Sequence, residues 1–140
     1  MRDDKWPPAA HLLDIDEHNK ILLVGKQRGG EVLTYILPGG KRDHQRESPQ
    51  AALRREASEE VGVTLHSALV CLGDVTGITP NSRRRMTTRV FLGRALGELV
   101  AQNEIVDIRR VSLKEAEALP VSELTWTILR LAQEKGLLPQ

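Results

Sequence analysis

The stretch that decides the reading is Leu37–Val63, LPGGKRDHQRESPQAALRREASEEVGV. It places two adjacent glycines after a proline, then a charged loop, then a segment crowded with acids. Ser48-Pro49 is a helix start: serine caps free backbone N–H groups, and proline is preset for the first helical position. The helix is predicted to run from Pro49 to about Val61, with Gly62 at the left-handed stop position. At ~100° per residue, Leu53, Ala57 and Val61 share one arc, which should face a core. Glu56 and Glu60 fall at the edge of that arc, one turn apart, with Glu59 further round and Arg55 nearly opposite. Like charges at that spacing repel, and partial burial enlarges the cost.

A divalent cation reverses the sign of that interaction. Mg²⁺ prefers hard oxygen ligands and is commonly held by one or two carboxylates plus phosphate oxygens. A bound metal also polarises a phosphoryl oxygen and acidifies an attacking water. The plainer reading is a solvated, charged helix face.

Working outward, Ala9–Ile15 and Lys20–Gln27 read as strands on either side of a polar turn, Asp16–Asn19. EVLTYILP is a third β-favouring run, closed by Pro38-Gly39-Gly40. After the helix, VTLHSALVCLGDVTGI is predicted as one long strand, followed by the basic loop TPNSRRR and the strand MTTRVFLGRAL. IVDIRRVSL reads as a short strand and LKEAEALP as a short helix. SELTWTILRLAQEKG has helical spacing through Leu124, Ile128 and Leu131, with a glycine stop at Gly136. Strands, a helix, more strands and a C-terminal helix make an α+β or mixed α/β layered domain. The 140 residues are expected to form one domain, 1–140, with a real core.

Composition narrows the function. A net charge of +1 gives no support for nucleic-acid binding, and aromatics at 3% argue against a base-stacking surface. No apolar run is long enough to cross a bilayer, so no membrane partner is expected. One cysteine, Cys71, allows neither a disulfide framework nor a cysteine zinc site within one chain, and a cytoplasmic location is the default.

The quoted stretch resembles the signature of the Nudix hydrolases: Gly, five residues, Glu, seven residues, then Arg-Glu-U-x-Glu-Glu-x-Gly-U, with U bulky and aliphatic. Arg55-Glu56-Ala57-Ser58-Glu59-Glu60-Val61-Gly62-Val63 matches the second half, with Ala57 small for its U position. Glu47 stands at the matching distance before Arg55. Six residues rather than five separate Gly40 from Glu47, and the extra one lies in the loop KRDHQR, where length changes are tolerated. The resemblance implies an α/β/α sandwich with a central mixed sheet. It implies hydrolysis of a diphosphate linkage in a nucleoside diphosphate derivative by water, with Mg²⁺ or Mn²⁺ as cofactor. By the same resemblance Glu56 and Glu60 are the main metal ligands, and Glu59 is a further ligand or orients the attacking water. Arg55, counted with the catalytic set, pairs with Glu47 and holds helix to loop, while Gly39 and Gly40 let the backbone turn and approach the site.

Other residues carry paired readings. The resemblance implies that Glu104 is another ligand or the general base, and the plainer reading is a loop acid; Asp107 is a weaker candidate for the same place. Arg28 and Lys41 are candidate phosphate contacts, since Lys41 adjoins the glycines. Arg83, Arg84 and Arg85 either grip phosphate through their guanidinium groups or form a solvated loop. The four histidines read as structural or exposed, with His44 notable for its place in the lengthened loop. Cys71 reads as core, as do Phe91 and Trp126, while Tyr35 reaches the substrate or packs inside. The expected partner is a phosphorylated small molecule, a nucleoside triphosphate, nucleotide sugar or dinucleoside polyphosphate, acted on by a monomer or homodimer. An inositol pyrophosphate hydrolase and a non-catalytic nucleotide sensor are the alternatives.

Overall fold

The computed structural model describes residues 6–79 and 84–140. Pro80, Asn81 and Arg83, which carried part of the expected basic loop, lie outside the described residues. The strands are β1 (Ala9–Leu13), β2 (Ile21–Lys26), β3 (Thr34–Ile36), β4 (Gly39–Lys41), β5 (Thr64–Leu65), β6 (Val70–Ile78), β7 (Arg85–Leu92), β8 (Ala95–Leu96) and β9 (Ile105–Val111). The helices are α1 (Pro49–Val61), α2 (Leu113–Ala116) and α3 (Glu123–Glu134).

A four-stranded sheet has the order β4-β1-β7-β6, and a three-stranded sheet the order β3-β2-β9. β1 runs parallel to β7 and antiparallel to β4, which makes the first sheet mixed. The period-2 alternation of strand side chains separates two cores. Leu13, Leu23 and Val90 pack with Leu124, Ile128 and Leu129 of α3. Their neighbours Leu12, Val24 and Phe91 pack with Leu53, Ala57 and Val61 of α1. The helices therefore cover opposite sides of the strand layer, and the fold is an α+β sandwich around mixed β structure.

Several local expectations give way to specific contacts. β1 ends at Leu13 because Asp14, 2% exposed, turns inward. Its carboxylate accepts Arg110 Nη1 and the Ala95 N–H, both at 2.8 Å. Ile15 keeps only an isolated bridge to Ile21. The run after α1 breaks into β5 and β6 because His66 Nδ1 accepts the Ala68 N–H at 3.0 Å and bends the chain. Cys71, expected in the core, is exposed. It sits on the edge strand β6, beside a register shift between Cys71 and Gly73. β9, expected to be short, has 7 residues and pairs along β2. Tyr35 belongs to the core, 3% exposed, and its hydroxyl donates to Asp107.

The two glycines do not form a turn. They lie in β4, paired with Ala10 and His11 of β1. Gly39 has φ +142°, and a Cβ there would stand 2.2 Å from the Ala10 carbonyl oxygen. A Cβ on Gly40 would stand 2.6 Å from the Glu56 carboxylate. Close approach, to β1 on one side and to α1 on the other, is what excludes a side chain at both positions.

Candidate active site

α1 forms as its ends dictate. Ser48 Oγ accepts the Ala51 N–H at 3.1 Å, Pro49 opens the first turn, and Gly62 stops the helix at φ 69°. Leu53, Ala57 and Val61 are fully buried at 0% exposure, as their common arc requires. Glu60 follows them inward at 6% exposure, and its carboxylate accepts the Gly39 N–H at 3.0 Å. Glu56 is half-buried and Glu59 exposed.

The last carbonyls of α1 have no helical partners, and the segment before β9 supplies them. The N–H groups of Val100 and Gln102 donate to Val61 and Glu60, each at 3.0 Å. Asn103, with φ 56°, donates its side-chain amide to the Glu59 carbonyl at 2.8 Å. This capping brings Glu104 to the acids of α1.

A cavity of about 250 Å³ results, with Glu56, Glu59, Glu60 and Glu104 facing Lys26 and Arg28. Asn103 and Ile105 complete its wall. Arg28 holds Glu104 with both arms of its guanidinium: Nε donates to one carboxylate oxygen, and Nη2 to the other at 3.0 Å. Lys26 Nζ lies 3.7 Å from the same carboxylate. A larger groove of about 550 Å³ adjoins the cavity and shares Lys26, Arg28 and Glu56 with it. Gly39, Gly40 and Lys41 line this groove. Arg84 lines neither space; its carbonyl accepts the Thr79 N–H at 2.9 Å. Asp107 is taken up by Tyr35 and by Arg109 Nε at 2.9 Å, away from both.

Arg55 lies against the acids without reaching into either space. Its Nε and Nη2 meet Glu47 at 2.8 and 3.1 Å, and Nη2 also donates to the Lys41 carbonyl at 2.9 Å. Nη1 reaches Glu59 at 3.1 Å and Glu56 at 3.5 Å. The extra residue of the loop does not displace Glu47, because Arg42 ties the loop down. Its guanidinium donates to the carbonyls of Pro7 at 2.9 Å and Gln45 at 3.1 Å, and stands 5.6 Å from the Trp6 ring centre.

The electrostatics separate the acids. Burial pushes the Glu60 carboxyl up to about 8, against the opposing Gly39 N–H and Lys26 and with Glu56 and Glu59 adding to the rise. Burial also raises Glu56, with Arg55 opposing. The hydrogen bond from Arg55 holds Glu47 below the usual carboxylate range, and that from Arg28 does the same for Glu104. A desolvated carboxylate beside a second one is stabilised by a cation. The donor set is hard oxygen, which fits magnesium or manganese. Among the described residues no group of three or more His, Cys, Asp or Glu side chains forms a ready-made metal cage. Magnesium needs none, since water and substrate phosphate commonly complete its shell.

A family model described as NUDIX domain matches residues 5–131. The chain belongs to the NUDIX family of hydrolases. The fold is shared with solved structures at low identity. A MutT protein from Methanosarcina mazei is 21% identical with a TM-score of 0.74, over 93% of this chain and 95% of that one. The NUDIX domain of Shewanella oneidensis NrtR, solved with ADP ribose, is 19% identical with a TM-score of 0.73, over 91% and 86%. A bifunctional NMN adenylyltransferase/ADP ribose pyrophosphatase from Francisella tularensis, solved with AMP and a manganese ion, is 22% identical with a TM-score of 0.70, over 94% of this chain and 43% of that one. No curated protein sequence matches the chain. Among the described residues no helix is long and apolar enough to cross a membrane.

Sequence reasoning overlooked part of this NUDIX site. Lys26 ends a strand with no motif around it, although the register shift between Gly25 and Lys26 marks the place. Asn103 could have been suspected, since asparagine is the residue that most readily takes positive φ outside glycine. His11, expected to be structural or exposed, is buried against the Thr88 hydroxyl, as a structural histidine would be, and it also lines the larger groove.

Proposed function

We propose that this NUDIX chain, as one domain over residues 1–140, hydrolyses a diphosphate linkage in a nucleoside diphosphate derivative with the help of magnesium or manganese. The observation that carries the reading is the cavity in which Glu56, Glu59 and Glu60 face Lys26 and Arg28. Acids alone would repel a diphosphate, and cations alone would not hold a metal. The two sets across one small space suit a metal-bound diphosphate.

Glu56 and Glu60 are the residues that would hold the cation, with Glu59 as a further ligand or as the group that orients water. The cation, when bound, supplies charge for the phosphoryl oxygens and a more acidic water. Lys26, Arg28 and Lys41 would hold phosphate oxygens, Arg28 through the fork that now grips Glu104. Exchange of that fork onto phosphate releases the Glu104 carboxylate for use as a base. Gly39 donates its N–H to Glu60 and so orients the buried acid, and Gly40 leaves room for Glu56. Arg55 is a positioning residue, acting through Glu47, Glu56 and Glu59. The lone cysteine supports a cytoplasmic setting.

Among the described residues Arg84 and Arg85 line neither cavity, and the inositol pyrophosphate alternative is separated by the substrate panel. The test is a panel of nucleoside triphosphates, nucleotide sugars including ADP-ribose, dinucleoside polyphosphates and inositol pyrophosphates, each with Mg²⁺ or Mn²⁺. Metal-dependent cleavage that disappears in Glu60→Gln is the expected outcome. Full activity in that variant would sink the assignment of Glu60, and binding without turnover by the wild type would favour a sensor.

A further inference from the structure

The larger groove is mixed in character. Lys26, Arg28, Glu31, Lys41 and Glu56 give it charge. Ile36, Met86, Leu124 and Ile128 give it apolar surface, with Thr79, Ser122 and Thr125 among them. One buried imidazole, His11, sits in that lining at 6% exposure. β1 presents it between Gly39 of β4 and Val90 of β7. Its Nδ1 lies 2.6 Å from the Thr88 hydroxyl, itself fully buried at 0% exposure. Gly39 leaves the ring its space, since a Cβ there would stand 2.9 Å from His11 Cδ2. The ring is therefore fixed on two sides. Among the described residues no side chain or backbone group hydrogen-bonds its Nε2.

We propose that His11 is a specificity-determining residue whose Nε2 hydrogen-bonds an uncharged polar group, a base edge or a sugar hydroxyl, on the organic end of the substrate. This rests on the diphosphate hydrolase reading above and extends it from the diphosphate to what the diphosphate carries. Burial and the nearby Lys26 hold the imidazole down to about 4, so it is neutral under physiological conditions. A neutral ring offers one hydrogen bond and no charge, which suits an uncharged partner and gives phosphate no preference. A polar atom that opens onto the groove with no partner among the described residues favours an occupant that can supply one, and a site built for that hydrogen bond rejects the analogue without the matching group. The flanking aliphatic side chains supply shape and apolar contact but no direction.

The test compares ligands that share a non-hydrolysable diphosphate and differ in the organic end. The α,β-methylene analogues of ADP, GDP, CDP and UDP are titrated calorimetrically with Mg²⁺ against methylenediphosphonate, using wild type, His11→Leu and His11→Gln. At least one nucleoside analogue is expected to bind more tightly than methylenediphosphonate. His11→Leu then weakens that analogue about tenfold and methylenediphosphonate less than about twofold, while His11→Gln recovers most of the loss. Thermal melting identifies a variant that fails to fold, in which case His11→Gln carries the comparison through a changed order of preference among the four analogues. Equal weakening of both ligand types, no weakening of either, or no analogue outbinding methylenediphosphonate would overturn the proposal. Wild-type turnover on the substrate panel is measured in parallel. Discrimination through His11 without turnover removes the hydrolase reading and keeps His11; turnover without discrimination does the reverse.

Discussion

The two long helices cover opposite sides of the same strands and are built on opposite principles. α3 buries Leu124, Thr125, Ile128, Leu129 and Ala132, a stripe at spacings of three and four, under a Ser122 cap. α1 buries Leu53, Ala57 and Val61 at the same kind of spacing but places Glu60 in the stripe with them. A leucine or alanine there would continue the core. An acid there is desolvated and has Glu56 one turn behind it, so it costs stability in the metal-free protein. α3 fills a core, whereas α1 gives up part of one to aim a carboxylate into a cavity.

Exchanging the two kinds of position should separate their effects. Glu60→Gln keeps the shape of the side chain and removes its charge. On the assigned role, the substrate found in the panel should lose about 10²–10³-fold in kcat, the loss typical of one preorganised charge-stabilising group. The same variant should melt higher than wild type in the presence of a chelator. Leu129→Ala on α3 should behave in the opposite way. It empties a fully buried site, 0% exposed, and should cost about 2–5 kcal/mol in denaturant unfolding. Below its melting point kcat should stay near the wild-type value. A Glu60→Gln protein that is active, or no more stable than wild type, would erase the contrast.

The pH dependence sharpens it. The Glu60 carboxyl titrates near 4.5 when unfolded and is pushed up to about 8 in the fold, so between those values the folded chain binds the extra proton. Stability of the metal-free protein should fall as pH rises through that window, at up to about 1.4 kcal/mol per pH unit for one group. Glu47, lowered by Arg55, acts in the other direction: its contribution is present above the ordinary carboxylate range and is lost as pH falls through its folded value. Glu56, also raised, acts with Glu60, while His11, held down to about 4, opposes both up to about 6.5. The fall therefore shows most cleanly in urea melts from pH 6.5 to 8 with a chelator, as the difference between wild type and Glu60→Gln. The slope should flatten in Glu60→Gln and also when excess Mg²⁺ is present, since a ligand that prefers the ionised native state removes the penalty.

What the sequence disclosed follows from how local its causes are. The cap at Ser48, the proline start, the Gly62 stop and the buried arc of α1 are settled within a few residues, and all were legible. So was the meeting of Arg55 with Glu47, eight residues before the arginine, as the signature spacing implies. The glycine pair was misread as a turn because its cause is distant: the Ala10 carbonyl and the Glu56 carboxylate, each on another element, exclude side chains there. The grip of Arg28 on Glu104 joins residues 76 apart, and the contact of His11 with Thr88 spans 77. No spacing rule reaches across such distances. Cys71 looked like core because strand composition does not reveal which strand forms the edge of a sheet.

Two arginine forks give the smallest effects and the finest comparison. Arg55 grips Glu47, whose side chain is 10% exposed, while Arg28 grips Glu104 from a side chain that is 63% exposed. Removing Arg55 as Arg55→Ala leaves the half-buried Glu47 carboxylate with the Asp43 N–H but without its charged partner and should cost about 1.5–3 kcal/mol, with kcat falling because Glu56 and Glu59 lose their anchor. Arg28→Ala should leave the melting temperature unchanged, since exposed ion pairs contribute little. Its effect should appear in the kinetics instead. Loss of a phosphate contact raises KM by about tenfold, the low end of the weight of one charge-assisted hydrogen bond. The Glu104 carboxyl, freed from the guanidinium that holds it down, should titrate higher, so the acid limb of the pH–rate profile should move to higher pH. A KM change with an unmoved acid limb would leave Arg28 a phosphate contact and remove Glu104 as the base. A change in melting temperature without either kinetic effect would make the Arg28 fork the same kind of clamp as that of Arg55.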